Sequence, residues 1–351
     1  MDFGLFYFAD DRPVEGDRYR LLLDTATFAD RNGFSAVWTP ERHFHAFGGQ
    51  YPNPAVTGAA LATVTENVAI RAGSVVAPLH NPLRIAEEWS VVDNLSGGRA
   101  GVSFASGWHA VDFALRPENY ARRKEILSET TETVRRLWRG EAVAFPDGTG
   151  KDVGLTIHPA PVQAELPVWL TSAGSVDTFR EAGRLGAGIL THLLGQDLDD
   201  LGQKIAAYRE AFTASGAPDA GAVAGGGHVA LMLHTFVGAD REEVRELVRR
   251  PFSAYLRSSV ALLARTMGTV MSPADLERMR PEDLDFLISR SFDRYFDTGG
   301  MFGTVDDCLK TAARLEEIGV DEVACLIDFG VAHDQVLDGL TRLDEVRRGF
   351  A

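Results

Sequence analysis

Two cysteines in 351 residues, Cys308 and Cys325, are too few for a disulfide framework, and no CxxC or CxxH spacing suggests zinc. Basic residues are outnumbered, 35 Lys and Arg against 50 Asp and Glu, for a formal net charge of −15. That balance argues against a nucleic-acid or anionic-membrane surface. It leaves room for a phosphate-bearing cofactor, because a helix N-terminus with a few hydroxyls binds phosphate whatever the global charge. No apolar run reaches the ~18 residues of a membrane helix. The apolar start, Met1 to Phe8, is short, lacks a basic stretch and carries Asp2, so it reads as a strand and not a signal peptide. The expectation is a soluble protein of a reducing, cytoplasmic compartment. Also missing are an internal repeat of fixed period and a Gly-x-Gly-x-x-Gly after the first strand, which weakens a Rossmann reading.

What is present is alternation. Strand-like runs at Phe3–Phe8, Ser35–Thr39, Val68–Ala77, Ala100–Ser106, Val168–Thr171, Gly188–Thr191, Val229–Val237 and Glu322–Ile327 are separated by amphipathic helical stretches. The helices are expected at Tyr19–Asn32, Pro54–Thr65, Ile85–Leu95, Tyr120–Trp138, Ser175–Leu185, Leu198–Ser215, Glu242–Leu263, Val305–Ile318 and Asp334–Phe350. About eight β-then-α units in one chain favour a closed α/β barrel, (β/α)8, over an open sheet, with residues 1–351 as a single domain. Residues 140–165 and 265–303 break the rhythm with Gly, Pro and polar-aromatic content, and read as insertions facing substrate. Gly225 to Gly227 reads as a flexible turn before a strand.

Barrel active sites lie at the C-terminal ends of the strands, so the segments just after each strand carry the candidates. After the second strand, Glu41-Arg42-His43-Phe44-His45 suggests a charge stabiliser or proton donor. A plain loop with a Glu41–Arg42 ion pair, or a metal site on His43 and His45, are the alternatives. After the third, His80 stands between two prolines, where a polar side chain most often satisfies backbone groups. After the fourth, Ser103-Phe104-Ala105-Ser106-Gly107-Trp108-His109 offers small residues on which a planar ring can lie, with Trp108 as a wall or as core. After the fifth, Thr171-Ser172-Ala173-Gly174-Ser175 opens a helix, which suits a phosphate monoester or an ordinary N-cap at Ser175.

Taken in order, Thr39 to Phe44 (TPERHF), Pro78 to Glu87 (PLHNPLRIAE), Leu95 to Arg99 (LSGGR), Gly101 to Trp108 (GVSFASGW) and Thr171 to Ser175 (TSAGS) resemble the bacterial luciferase-like flavin monooxygenases. The likeness is greatest to the branch found in polyketide and nonribosomal-peptide gene clusters. The resemblance implies a monooxygenase that takes reduced FMN from a separate flavin reductase and uses O2, through a flavin C4a-peroxide, to hydroxylate, N-oxygenate or insert oxygen beside a ketone. It implies a small-molecule or carrier-protein-tethered substrate and a homodimer, with the apolar helix at 54–65 available as an interface. It places flavin phosphate at Ser172, Gly174 and Ser175, with Thr171 and Tyr120 beside them. The ring lies along Ser103, Ala105, Ser106 and Trp108, and a non-prolyl cis peptide at Gly73–Ser74 lies beneath it. Arg42 stands where luciferases carry a catalytic histidine, with His43 next. Arginine cannot act as a base, so Arg42 and His43 are expected to stabilise or protonate a peroxide, with Trp108 and His109 bordering the substrate. A deazaflavin-dependent hydride-transfer enzyme, a metal-dependent barrel hydrolase and a flavin-binding protein without catalysis are the rival readings.

Overall fold

A computed structural model describes residues 1–11, 16–172, 174–216, 227–258 and 278–350. Eight parallel strands form a closed ring: β1 (Asp2–Phe6), β2 (Ala36–Thr39), β3 (Ala69–Val76), β4 (Ala100–Ala105), β7 (Val168–Ser172), β8 (Gly188–His192), β9 (Val229–Val237) and β11 (Glu322–Leu326). Pairing of β8 with β9, Ile189 against Val229 through His192 against Met232, shuts the barrel. β5 (Val143–Pro146) and β6 (Asp152–Leu155) make a separate antiparallel hairpin, and β10 (Met301–Gly303) extends the sheet beside the end of β9. The helices that follow the strands are α1 (Arg20–Arg31), α2 (Pro54–Ala62), α3 (Pro82–Ser96), α4 (Arg123–Trp138), α5 (Val176–Arg184), α6 (Leu198–Ser215) and α7 (Arg241–Ser258), with three more at Pro281–Arg294, Val305–Glu317 and His333–Arg348.

The strands are rich in Val, Ile, Leu and Phe because both of their faces are buried: all five residues of β11 and four of the five in β1 are inaccessible. Helix ends follow local chemistry. Asn53 and Asn81 accept backbone N–H bonds at the starts of α2 and α3, and Gly97 closes α3 in the left-handed conformation. Thr304 and Asp307 form a reciprocal capping box before the helix Val305–Glu317.

Two sequence expectations are revised, and two fall partly outside the described residues. The helix expected from Tyr120 begins at Arg123, because residues 110–119 wind into two short 3-10 turns. The helix expected to reach Leu263 is described to Ser258, and of the Gly225–Gly227 turn only Gly227 is described. Residues 140–165 do not face the barrel mouth. They follow a helix, not a strand, so they emerge at the opposite end. There Asp93, near the end of α3, accepts N–H bonds from Val162 and Gln163, and Gln163 also bonds the carbonyl of Ala100 at the start of β4. The described part of 265–303 contains the helix Pro281–Arg294, a π-turn at Tyr295–Gly299 and β10. It does reach the mouth, through Tyr295 and Gly299. No helix among the described residues is long and apolar enough to cross a membrane.

Candidate active site

A cavity of about 280 Å³ opens at the C-terminal ends of the strands. One wall is built from small residues on β3 and β4 and the segment after β4: Gly73, Ser74, Ala105, Ser106 and Gly107. The Gly73–Ser74 peptide is cis, as the resemblance implied. A Cβ at Gly73 would sit 2.6 Å from the Phe6 ring, so only glycine allows β3 to pass so close to β1. Thr171 on β7 holds this wall together. Its hydroxyl bonds both the Ser103 hydroxyl, at 2.7 Å, and the Ser74 hydroxyl, which ties three strands at one point. Ser103 is fully buried behind the wall and does not reach the cavity.

Arg42 lies on the wall and is 4% exposed. The Glu41–Arg42 ion pair of the plain-loop alternative does not form. Arg42 Nη1 donates instead to Asp112 Oδ2 at 2.9 Å, its Nε donates to the Phe47 carbonyl at 3.3 Å, and its guanidinium lies 5.0 Å from the Trp108 ring centre. Asp112 also faces His109, whose Nδ1 is 3.1 Å from Oδ1. Thus Trp108 is a cavity wall, while His109 is a neighbour of the Arg42 counter-ion. No local pattern marks Asp112, because the ion pair joins positions 70 residues apart.

Glu41 serves another purpose. One oxygen meets Nε2 of His43 at 2.7 Å and Nε2 of His80 at 2.6 Å, and the other accepts the Val76 N–H at 2.7 Å. His80 therefore binds a carboxylate and not the backbone, and this knot fixes the β2 end against the β3 end. Burial opposes the Glu41 charge, but these donors outweigh it and hold the carboxyl below its usual range. Burial also pulls His80 down, yet the bond and charge of Glu41 lift it above the ordinary histidine value. A raised histidine contributes stability that is fully present below the unfolded pKa, near 6.5, and lost as pH rises through the folded value. His80→Gln should therefore lower the melting temperature more at pH 6 than at pH 9. Equal losses at both pH values would mean that His80 is uncharged in the fold.

His43 and His45 diverge. His43 turns to Glu41, whereas His45 Nδ1 accepts the Phe47 N–H at 3.0 Å and its ring faces His109. Among the described residues no group of three His, Cys, Asp or Glu side chains is placed to hold a metal.

Beyond β7 the chain turns through Gly174 at φ +110° and enters α5. Ser175 occupies the N-cap position but makes no side-chain cap bond, so the plain capping role is not filled. Two residues of α6 and the loop before it join Gly174, and the sequence reading missed both. A Cβ there would lie 3.4 Å from Gln196 Oε1 and 3.5 Å from Lys204 Nζ. Lys204 donates to Gln196 at 2.9 Å, and Gln196 in turn donates to the hydroxyl of Thr191, a cavity residue, at 3.2 Å. Tyr120, like Ser172, Gly174 and Ser175, does not line the cavity. Its ring packs 4.9 Å from Phe113 and under Arg123, off the cavity wall.

The far side of the cavity is apolar and aromatic, with Leu193, Leu194, Tyr255, Leu256 and Tyr295, together with His192 and His234. Burial pushes His192 down to about 4 and His234 down to about 3, so both rings are neutral at pH 7.

A curated relative matches along the whole chain. The oxygenase component of a flavin-dependent trigonelline monooxygenase from Acinetobacter baylyi is 24% identical, covering 100% of this chain and 96% of its own. Among solved structures, the monooxygenase RslO1 from Streptomyces bottropensis superimposes with a TM-score of 0.79 at 23% identity, over the full length of both chains. The oxygenating constituent of 3,6-diketocamphane monooxygenase from Pseudomonas putida, in complex with FMN, follows at TM-score 0.73 and 19% identity, covering 99% of this chain and 95% of that one. The same fold also carries an F420-dependent secondary alcohol dehydrogenase, at TM-score 0.69 and 18% identity, covering 99% and 98%. The model of the luciferase-like monooxygenases matches residues 1–322, and the chain belongs to that family.

Proposed function

We propose that the protein is the oxygenase component of a two-component system, taking reduced FMN from a separate reductase and transferring one oxygen atom of O2 to a small organic substrate. The observation that carries this reading is the wall of small residues at Gly73–Ser74 and Ala105–Ser106 with Trp108 beside it, which leaves room for a fused ring, and the cationic Arg42 on the same cavity. The Gly174 cradle fits the cofactor's phosphate. It has no Cβ, a free helix start at Ser175, and the Lys204 ammonium as counter-charge. Ser172, Gly174 and Ser175 would hold the phosphate, and Lys204 would neutralise it.

Reduced FMN, when bound, supplies the electrons that activate dioxygen. The chain's own residues do the rest. Thr171 fixes the wall, and Trp108 and the leucines keep water out. Arg42, held by Asp112, puts a fixed positive charge where negative charge develops on oxygen. His43 acts through Glu41, and His109 through Asp112, so both are positioning residues in this scheme. The motifs that resemble the polyketide and nonribosomal-peptide branch of the family support a substrate from natural-product assembly, free or on a carrier protein.

The test is a stopped-flow mix of protein and reduced FMN with oxygenated buffer. The expected result is a delayed return of the oxidised-flavin absorbance. Return at the protein-free rate, together with preferred binding of a reduced deazaflavin, would overturn the reading.

The assembly proposed is a homodimer through the outer faces of α2 and α3, where Val56, Val64, Val91 and Leu95 are exposed and apolar. Val56→Asp combined with Leu95→Asp should convert a dimer to a monomer in sedimentation velocity. An unchanged dimer would move the interface elsewhere.

A further inference from the structure

Three charged residues line the cavity among those described: Arg42, Glu41 and Asp112. Each has its partner within the protein. Arg42 pairs with Asp112, and Glu41 takes bonds from His43, His80 and the Val76 backbone. One cation stands against two carboxylates, so an anionic ligand would meet no uncommitted positive charge on this wall. The remaining lining is uncharged: hydroxyls at Ser74, Ser106, Thr171 and Thr191 on the strand side, and a mainly hydrocarbon and aromatic surface that includes Phe8, Phe47, Leu193, Leu194, Leu256 and Tyr255.

Among the described residues that line it, one buried side-chain atom has no hydrogen-bond partner. His234, near the end of β9, is 8% exposed, and its Nε2 is buried with no hydrogen-bond partner. Phe252, Tyr255, Tyr295 and Phe329 surround it, with ring centres 4.8, 5.4, 5.4 and 6.1 Å away. Buried polar groups in native proteins almost always find a partner, and those that do not commonly mark a place where a ligand supplies it. The aromatic collar fixes the ring's orientation, and its neutrality suits it to a neutral partner.

We propose that the substrate is an uncharged, mainly apolar ring compound bearing a carbonyl or hydroxyl oxygen, and that His234 binds that oxygen as the specificity-determining residue. This deepens the monooxygenase reading and rests on it. It separates this chain from any member of the family whose substrate is an anion. It also assigns Arg42 to the developing charge of the reaction and not to an acidic group of the substrate.

The test uses FMN-loaded protein and three probes of one skeleton, α-tetralone, tetralin and tetralin carboxylate, titrated by calorimetry. The ketone should bind roughly tenfold tighter than the hydrocarbon, the factor that one hydrogen bond to a buried group supplies, and the carboxylate should bind weakest. His234→Phe should erase the ketone's advantage while tetralin affinity stays the same, and His234→Gln, which keeps a donor and an acceptor, should restore part of it. Tightest binding of the carboxylate, no binding of the ketone, or an unchanged ketone-to-hydrocarbon ratio in His234→Phe would each overturn the proposal. FMN affinity, followed by quenching of flavin fluorescence, is read separately. A protein that fails to take FMN but keeps the ketone preference would sink the flavin reading and leave the substrate class standing.

Discussion

Replacing Arg42 with alanine should lower product formed per reduced FMN consumed by about 10²- to 10³-fold, the usual cost of deleting one preorganised electrostatic donor. FMN affinity should stay within roughly threefold, because the proposed phosphate cradle lies on other elements and a lost transition-state interaction leaves ground-state binding alone. The argument rests on placement. The guanidinium is buried on the cavity wall and fixed by Asp112, by the Phe47 carbonyl and by the face of Trp108. It need not reorient when charge develops nearby, and the water-poor lining strengthens the field it exerts. Arg42→Lys keeps the charge and loses the planar fork that meets Asp112, so an intermediate rate is expected. Alanine also leaves the Asp112 carboxylate without its cation, which would destabilise the fold and confuse the result. The Arg42→Ala/Asp112→Asn pair removes both charges. It should recover the melting temperature without recovering product. Unchanged turnover in Arg42→Ala would remove this residue from the mechanism.

The two halves of that argument differ in how far they can be read from residues. Arg42 stood out because a strand end carried four polar or aromatic residues in a row. Asp112 did not, because its role is set by where a 3-10 turn after β4 folds back over β2, and no periodicity encodes that. The same holds for Lys204 and Gln196. Both look like ordinary surface chemistry around α6 until the turn at Gly174 brings them together. Periodicity placed the barrel strands and helices well, with the strand Val229–Val237 and the helix Leu198–Ser215 at their observed limits, since a fully buried strand and an amphipathic helix each imprint their period on the chain. It failed at 140–165, where short exposed hairpin strands bury only one residue fully, Val143, and so leave no pattern to read. The histidines show the limit most clearly. His43, His80, His109 and His234 are the same residue type at four strand ends. Only tertiary packing makes the first two partners of one carboxylate, the third a neighbour of Asp112 and the fourth an unsatisfied group on the cavity.

Glu322→Gln or Arg71→Met should each cost the fold about 3–5 kcal/mol, the penalty for breaking a buried ion pair from one side. Both sit at the N-terminal end of the barrel, away from the cavity. Glu322 is fully buried and accepts from the Trp38 indole and from Arg71 Nη1, each at 2.7 Å. The Arg71 guanidinium lies against both Trp38 and Trp169, 4.9 and 4.6 Å from their ring centres, the two indoles meet edge-to-face with centres 5.2 Å apart, and the Trp169 indole donates to His228. Two tryptophans and an ion pair thus plug the barrel where a TIM-type fold needs solid filling. Burial alone would raise the Glu322 carboxyl, but Arg71, His228 and Trp38 together hold it below its usual value. Its contribution to stability is therefore present above the unfolded pKa, near 4.3, and lost as pH falls through the lower folded value. The gap between wild type and Glu322→Gln in urea unfolding should be full at pH 7 and shrink in acid. The Glu322→Gln/Arg71→Met pair should lose less than the two single changes added, because it leaves no charge stranded. FMN affinity should not move in any of these variants while they stay folded. A Glu322→Gln protein as stable as wild type at pH 7 would show that the two tryptophans alone fill the barrel base, and that the ion pair beside them contributes nothing net.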